Sequence, residues 1–110
     1  MTALTFRTGT VDVNDIFSSS WGWEQTNVNF YQVISTHGKK TVIVREVRAA
    51  SEYDAAGMSG TKKAVLNDFI GEPLKRQVKD DSDRPNIKIE DYEYAYKSEP
   101  GEKHSFTSYA

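Results

Sequence analysis

Residues 29–48 read NFYQVISTHGKKTVIVREVR, and this stretch decides the fold. It contains two runs rich in β-branched and aromatic residues, joined by a short loop with a glycine. That pattern is typical of a β-hairpin. The predicted strands occupy residues 29–35 and 40–48, and the turn lies at His37 and Gly38.

The second strand of this hairpin is apolar on both faces. Side chains alternate along a strand, so Val42 and Val44 share one face while Ile43 and Val47 lie on the other. A strand of this kind belongs at the centre of a sheet or in the wall of a small closed sheet.

Outward from the hairpin, short β-prone runs are separated by Gly, Asn, Asp, Pro and Ser. We therefore predict one mainly β domain over residues 1–110: a small, strongly bent antiparallel sheet or an SH3-like, partly closed barrel with at most one or two short helices. The alternative is an α+β arrangement with a helix in 49–60 or 64–70. Further predicted strands lie at 6–13, 63–66, 74–79 and 104–109, and another begins at residue 87.

Composition excludes several chemistries. The 110 residues include no cysteine, which rules out disulfides, thiolate metal sites and a cysteine nucleophile. We predict no cofactor and no metal site, because Asp80, Asp81 and Asp83 lack the ligand spacing of a calcium loop. No apolar run approaches the roughly 20 residues that span a bilayer, and no signal-peptide pattern is present. We expect a cytoplasmic location and no membrane contact.

The charge balance is close to neutral. Fourteen basic and sixteen acidic residues give a net charge of −2. Proteins that bind nucleic acid without sequence preference usually carry a basic excess, so nucleic acid is possible but not the favoured partner.

The segment from Trp21 to Tyr31 concentrates indoles, amides and a glycine. Its large aromatics can anchor a core while its amides close turns, or its indoles can stack on a flat ligand. We favour the architectural role. The residues of this structural signature are Trp21, Gly22, Trp23, Gln25, Thr26, Asn27, Phe30 and Tyr31.

Two further groups are candidate binding surfaces. Tyr92, Tyr94 and Tyr96 alternate along a strand and would line one face, as core, as a protein interface or as a base-stacking platform. The neighbouring acidic residues favour core or interface over nucleic acid. A small basic patch is formed by Lys75, Arg76 and Lys79.

Catalysis has little support in the sequence. Neither His37 nor His104 lies in a serine-elbow or metal-ligand motif, and no glycine-rich phosphate loop is present. We therefore expect no enzymatic activity.

The run from Ser20 to Val33 resembles a signature found in small proteins of bacteriophages and other mobile elements, approximately Ser-Trp-Gly-Tyr-x-Gln-Thr-Asn-x-x-Phe-Tyr-Gln-Val. Trp23 stands where tyrosine is usual. The resemblance extends to Val44–Val47, Phe69–Pro73, Ile87–Ile89 and the closing Ser108–Ala110. It carries no catalytic or ligand-binding residue with it, and it implies an accessory protein that acts inside a bacterial host cell.

The leading functional prediction is therefore a non-catalytic protein-binding module of phage origin, with a host protein or protein complex as its partner. Proteins from that setting often inhibit host defences, including CRISPR effectors. The alternatives are a nucleic-acid-binding barrel that stacks bases on its aromatics, and a small-molecule binder or hydrolase. A homodimer is possible, because an exposed tyrosine stripe or an unpaired edge strand can self-associate.

Overall fold

The computed structural model describes residues 3–21, 27–53, 59–80, 83–98 and 103–107, and for residues 21, 59 and 105–107 it describes the backbone alone. In these ranges every regular element is a strand, which confirms the mainly β prediction. The α+β alternative is wrong for the described parts of 49–60 and 64–70, where the chain is extended. The strands are β1 (Leu4–Phe6), β2 (Gly9–Val11), β3 (Ile16–Trp21), β4 (Asn27–His37), β5 (Thr41–Tyr53), β6 (Ser59–Phe69), β7 (Leu74–Gln77), β8 (Asn86–Glu90), β9 (Glu93–Ser98) and β10 (His104–Thr107).

The main sheet is antiparallel and runs in the order β10-β6-β5-β4-β3-β9-β8. β5 is long enough to pair with two strands along one edge: β7 along its first part and β6 along its second. A single bridge between Lys79 and Asn86 then joins the end of β7 to the start of β8, and Arg76 Nη2 donates to the carbonyl of Ile89 across the same seam at 3.1 Å. The sheet is therefore strongly bent without being closed.

The central hairpin is confirmed as β4 and β5, with Gly38 in the left-handed region at φ 59°. The predicted single strand over 6–13 is wrong. The chain turns at Arg7 and Thr8, and β1 and β2 form a separate two-stranded sheet. The pattern failed there because both halves of a tight hairpin carry the same β-prone residue types as one longer strand.

Both faces of the sheet carry apolar clusters. Phe17 and Tyr31 belong to the inner core, and Ile16 and Phe30, their neighbours in sequence, belong to the outer core on the opposite face. β6 and β10 also contact β4, so this arm of the sheet folds over the outer core. The buried inner core comprises Leu4, Val11, Phe17, Tyr31, Val33, Val42, Val44, Val78, Ile87, Ile89 and Ala95, and the buried outer core comprises Ile16, Val28, Phe30 and Val47.

A buried amide ties together the two non-glycine residues that have positive φ within the described ranges. Gln32 is 1% exposed, and its Nε2 donates to Asn14 Oδ1 at 2.9 Å and to Asn67 Oδ1 at 3.0 Å. Its Oε1 accepts from the backbone N–H of Asn67 at 2.7 Å. Asn14 and Asn67 adopt φ values of 75° and 67°, which asparagine tolerates better than most residues. The structure thus places a polar lock at Gln32. Of the signature amides predicted to close turns, Asn27 begins β4 and Gln25 lies outside the described residues.

Candidate binding surface on the outer face of β9

Strand β9 alternates strictly between the inner and outer faces of the sheet. Glu93 and Ala95 are buried, whereas Tyr94 and Tyr96 are 40% and 37% exposed on the outer face. Tyr92 lies in the preceding turn and is 68% exposed. Two tyrosines of the predicted stripe, Tyr94 and Tyr96, therefore share the outer face of β9, while Tyr92 lies outside the strand, and none of the three is buried in the core.

Three hydrogen-bond donors on β3 and β4 hold the side chain of Glu93 on the inner face. Glu93 Oε2 accepts hydrogen bonds from Ser19 Oγ at 2.5 Å, from Tyr31 OH at 2.8 Å and from Asn29 Nδ2 at 3.4 Å. A slip of one residue in the pairing of β9 with β3 would exchange the two faces and place tyrosines where the carboxylate lies. The buried carboxylate therefore fixes the register that holds Tyr94 and Tyr96 outside.

The pKa values of two residues in and beside the inner polar cluster are raised. Burial raises the pKa of the Tyr31 hydroxyl, and its hydrogen bond to Glu93 raises it further. Burial also raises the pKa of Glu46, the cross-strand neighbour of Tyr31, and the negative charge of Glu93 adds to this effect. Ser19 and Tyr31 both donate their hydroxyl protons to Glu93, so these hydrogen bonds tie β9 to β3 and β4.

A groove of about 370 Å³ runs over the outer face between β9 and β10. Ser18, Ser20 and Val28 line it from β3 and β4, and Tyr94 and Tyr96 line it from β9.

The remaining lining of this groove is polar and carries both signs of charge. His104 lines it from β10 and packs edge-on against Phe30 of the outer core, with ring centroids 5.4 Å apart. Ser19, Asp83 and Arg84 complete the lining, and Arg84 Nη1 donates to the carbonyl of Lys97 at 3.1 Å. We call the region formed by Ser18, Ser19, Ser20, Val28, Asp83, Arg84, Tyr94, Tyr96 and His104 the β9 groove.

The charges beside the β9 groove are mixed. Lys88 lies opposite Tyr94 in the β8–β9 pairing, and its Nζ forms an ion pair with Asp91 at 3.2 Å. Asp83 and Arg84 are adjacent and exposed. A surface of this kind suits a protein with complementary charges better than a continuous phosphate backbone.

The predicted basic patch does not join this surface. Lys75 and Arg76 lie on β7 and Lys79 follows it, and none of the three lines the β9 groove. Arg76 instead donates to the carbonyls of Ile89 and Lys75. Arg76 therefore connects β7 to β8 by a hydrogen bond. The sequence pattern could not distinguish this role from that of a surface cation.

The signature residues divide into those the structure places and those outside its described ranges. Phe30 and Tyr31 are buried in the outer and inner cores, and Asn27 is the first residue of β4. Trp21 ends β3, and its side chain is not among those described. Gly22, Trp23, Gln25 and Thr26 lie outside the described residues, so their predicted roles stay predictions.

The structure describes some of the residues considered in the sequence as catalytic histidines or metal ligands. His37 lies at the exposed end of β4, where a 2.8 Å hydrogen bond joins its Nε2 to Ser35 Oγ. Asp80 accepts from the backbone N–H of Arg7 at 3.1 Å, and Asp81 lies outside the described ranges. Among the described residues, no group of three or more His, Asp or Glu side chains is arranged to hold a metal ion. The described part of the chain also contains no helix that could cross a membrane.

Sequence reasoning missed the residues that position the surface. Glu93 stands between two tyrosines and reads as a solvent-facing charge, yet the period of two places it opposite them. Ala95, the small residue two positions on, was the available signal that this was the crowded face. Asn29, Ser19 and Arg84 carry no local signal, because each acts through a strand distant in sequence.

A scan against protein-family models found no match for this chain, and searches of curated proteins and of solved structures found none either.

Proposed function

We propose that this chain is a non-catalytic protein-binding module and that the β9 groove is its recognition surface. The observation that carries the proposal is a pair of half-exposed tyrosines, Tyr94 and Tyr96, beside a polar groove on a rigid strand. Tyrosine supplies large contact area with few rotatable bonds, and it is enriched where proteins bind one another.

The hydrogen bonds that hold β9 in the sheet support a recognition role for Tyr94 and Tyr96. Glu93 holds β9 against β3 and β4 through three hydrogen bonds, so Tyr94 is presented without a large ordering cost on binding. The side chains of Asp83, Arg84 and His104 offer donors and acceptors at the rim of an aromatic contact. Such a rim gives orientation and specificity more than affinity.

The resemblance to phage and mobile-element proteins supplies the partner class. We propose a protein of the bacterial host as the occupant, and more narrowly a component of a host defence such as a CRISPR effector. In this view the chain acts by occlusion, because binding alone is enough to block an effector surface.

The test is affinity capture from host lysate with the full chain as bait. The double variant Tyr94→Ala/Tyr96→Ala is expected to lose the captured protein while keeping the melting temperature of the parent. The control is Tyr53→Ala, because Tyr53 is 62% exposed on β5 and does not line the β9 groove. Equal capture by the double variant and the parent would overturn the proposed surface.

The narrower proposal has its own assay. Expression of the chain in a host with active CRISPR immunity is expected to restore plaquing of a targeted phage, and the double tyrosine variant is expected to abolish that rescue. No rescue in any immune host tested would reject the counter-defence role and leave the binding module to be judged by capture.

A second candidate function has one observation in its favour. Tyr94, Tyr96, His104 and Arg84 bring three rings and a guanidinium to one groove, and such groups stack on unpaired bases. This candidate predicts quenching of intrinsic fluorescence by single-stranded oligonucleotides, with affinity falling steeply as salt rises. A flat titration at low salt would eliminate it.

A further inference from the structure

The amino-terminal hairpin leaves one strand edge open. β1 pairs with β2 in the register Leu4↔Val11, Thr5↔Thr10 and Phe6↔Gly9. In the described part of the chain, no strand pairs with the other edge of β1.

The tight turn decides which backbone groups point to the open edge. Phe6 and Gly9 flank the turn residues and form the hydrogen-bonded pair, as is usual in such hairpins. The backbone groups of Thr5, one residue on, therefore point away from β2. The next N–H that points outward is that of Arg7. It already donates to Asp80 Oδ2 at 3.1 Å.

Two adjoining cavities flank this edge. Their volumes are about 560 Å³ and 470 Å³, and both are lined by Thr5 and Lys39. The first extends along Ser35 and Thr36 of β4, and the second extends to residues 78–80 after β7. Because the two cavities share Thr5 and Lys39, we treat them as one site along β1 and call it the β1 groove.

The charge of the β1 groove is strongly one-sided. Lys39, Lys40 and Lys79 line it, and all three side chains are exposed. Asp80 is the one acidic residue among the described lining residues, and its side chain and carbonyl are both engaged by Arg7. The described salt bridges of the chain involve other lysines.

We propose that the β1 groove binds an extended acidic segment of a partner protein, which adds as a strand to the open edge of β1. Strand addition uses main-chain hydrogen bonds for affinity and alternate side chains for specificity. Acidic side chains at every second position of the added strand would face Lys39, Lys40 and Lys79. The β1 groove shares no described lining residue with the β9 groove, so this site stands independently of the proposed function.

The experiment uses the full ¹⁵N-labelled chain and a synthetic acidic peptide, Asp-Val-Asp-Val-Asp-Val, with the lysine-substituted peptide Lys-Val-Lys-Val-Lys-Val as its control. The acidic peptide is expected to shift the backbone amide resonances of residues 3–6 and 38–40, and the basic peptide is expected to shift none. The absence of binding by the acidic peptide, or shifts confined to other residues, would overturn the proposal.

Two variants separate strand addition from simple anion binding. Thr5→Pro removes the outward N–H while sparing the hydrogen bonds of the Phe6–Gly9 pair, and Lys39→Glu/Lys40→Glu reverses the charge of the groove. Each is expected to weaken peptide binding by about tenfold or more. The matched control for the charge reversal is Lys63→Glu/Lys75→Glu, two exposed lysines on β6 and β7.

A competing outcome is adsorption of any polyanion. Inorganic phosphate or a single-stranded oligonucleotide that bound as tightly as the peptide, with no loss in Thr5→Pro, would show an anion patch and overturn strand addition. If Thr5→Pro fails to fold, the lysine pair decides the question: full peptide affinity after charge reversal contradicts the proposal.

Discussion

At the scale of single residues, the buried carboxylate of Glu93 fixes the register that keeps Tyr94 and Tyr96 on the surface. Glu93 is 5% exposed, and three donors converge on its Oε2. Glu93→Ala is expected to lower the free energy of unfolding by about 3 kcal/mol, because buried hydroxyls lose a charged acceptor. Urea denaturation measures the change. Glu90→Ala, at an exposed site on β8, is the control and should stay within about 0.5 kcal/mol of the parent; an equally small effect at Glu93 would show that its hydrogen bonds do not stabilise the fold.

The pH dependence of stability tests the half-buried acid Glu46. The pKa of Glu46 is raised in the folded chain by burial and by Glu93, so the folded state binds this proton more tightly than the unfolded state. The stability that protonation of Glu46 contributes is present below its unfolded pKa and is lost as pH rises through the raised folded pKa.

Glu46→Gln is therefore expected to stabilise the chain more at about pH 7 than at about pH 4, where the parent side chain is already largely protonated. Chemical denaturation at the two pH values measures the difference, and Glu72→Gln at an exposed position is the control. A stabilisation of the same size at both pH values would show that Glu46 does not titrate as described.

Gln32 is a second buried polar side chain that stabilises the fold, and it lies on the opposite face of the sheet from Glu93. Gln32→Leu is expected to cost about 3 kcal/mol, because the N–H of Asn67 loses its buried acceptor and two positive-φ residues lose their tie. Equilibrium unfolding measures the loss, and Gln77→Leu on the exposed face of β7 is the control. If the two variants are equally stable, the amide is not a lock.

The sequence predicted residue environments where local alternation decides them. The period of two correctly separated Val42 and Val44 from Val47, and it placed Tyr94 and Tyr96 on one side of β9; Tyr92, predicted on the same strand, lies in the preceding turn. It could not identify Gln32 as a buried lock, because the partners of Gln32 lie 18 and 35 residues away in sequence.

At the scale of elements, β5 organises the sheet. It pairs with β4 along one edge and with β7 and β6 in succession along the other. The central hairpin was predictable because a short glycine loop joins two apolar runs. The extension of β5 through residues 49–53 was not, because those residues are largely exposed and pair with a strand beyond residue 58.

Gly60 allows β6 to approach β5 closely. A Cβ at this position would overlap the carbonyl oxygen of Glu52, a backbone atom that cannot move without breaking the pairing. Gly60→Ala is expected to destabilise the chain by at least about 2 kcal/mol. Thermal or urea unfolding measures the effect, with Thr61→Ala as the neighbouring control; parity between the two would contradict the described β5–β6 register.

At the scale of the whole molecule, the bent main sheet carries two cores, and the separate β1–β2 sheet adds Leu4 and Val11 to the inner core. The β6–β10 arm covers the outer core on one face of the main sheet, and the inner core lies on the other face. The β9 groove is aromatic with mixed charge, whereas the β1 groove is basic beside an open strand edge. The mainly β class followed from the sequence; the seam between β7 and β8 did not, because it depends on Arg76 reaching a carbonyl on another strand.

The most direct test of the central proposal is a hydrogen–deuterium exchange footprint of the full chain with its captured protein partner. The β9 groove as recognition surface predicts slowed exchange in residues 83–98 on complex formation and unchanged exchange in residues 41–53. Protection confined to residues 41–53, with 83–98 exchanging as in the free chain, would contradict it.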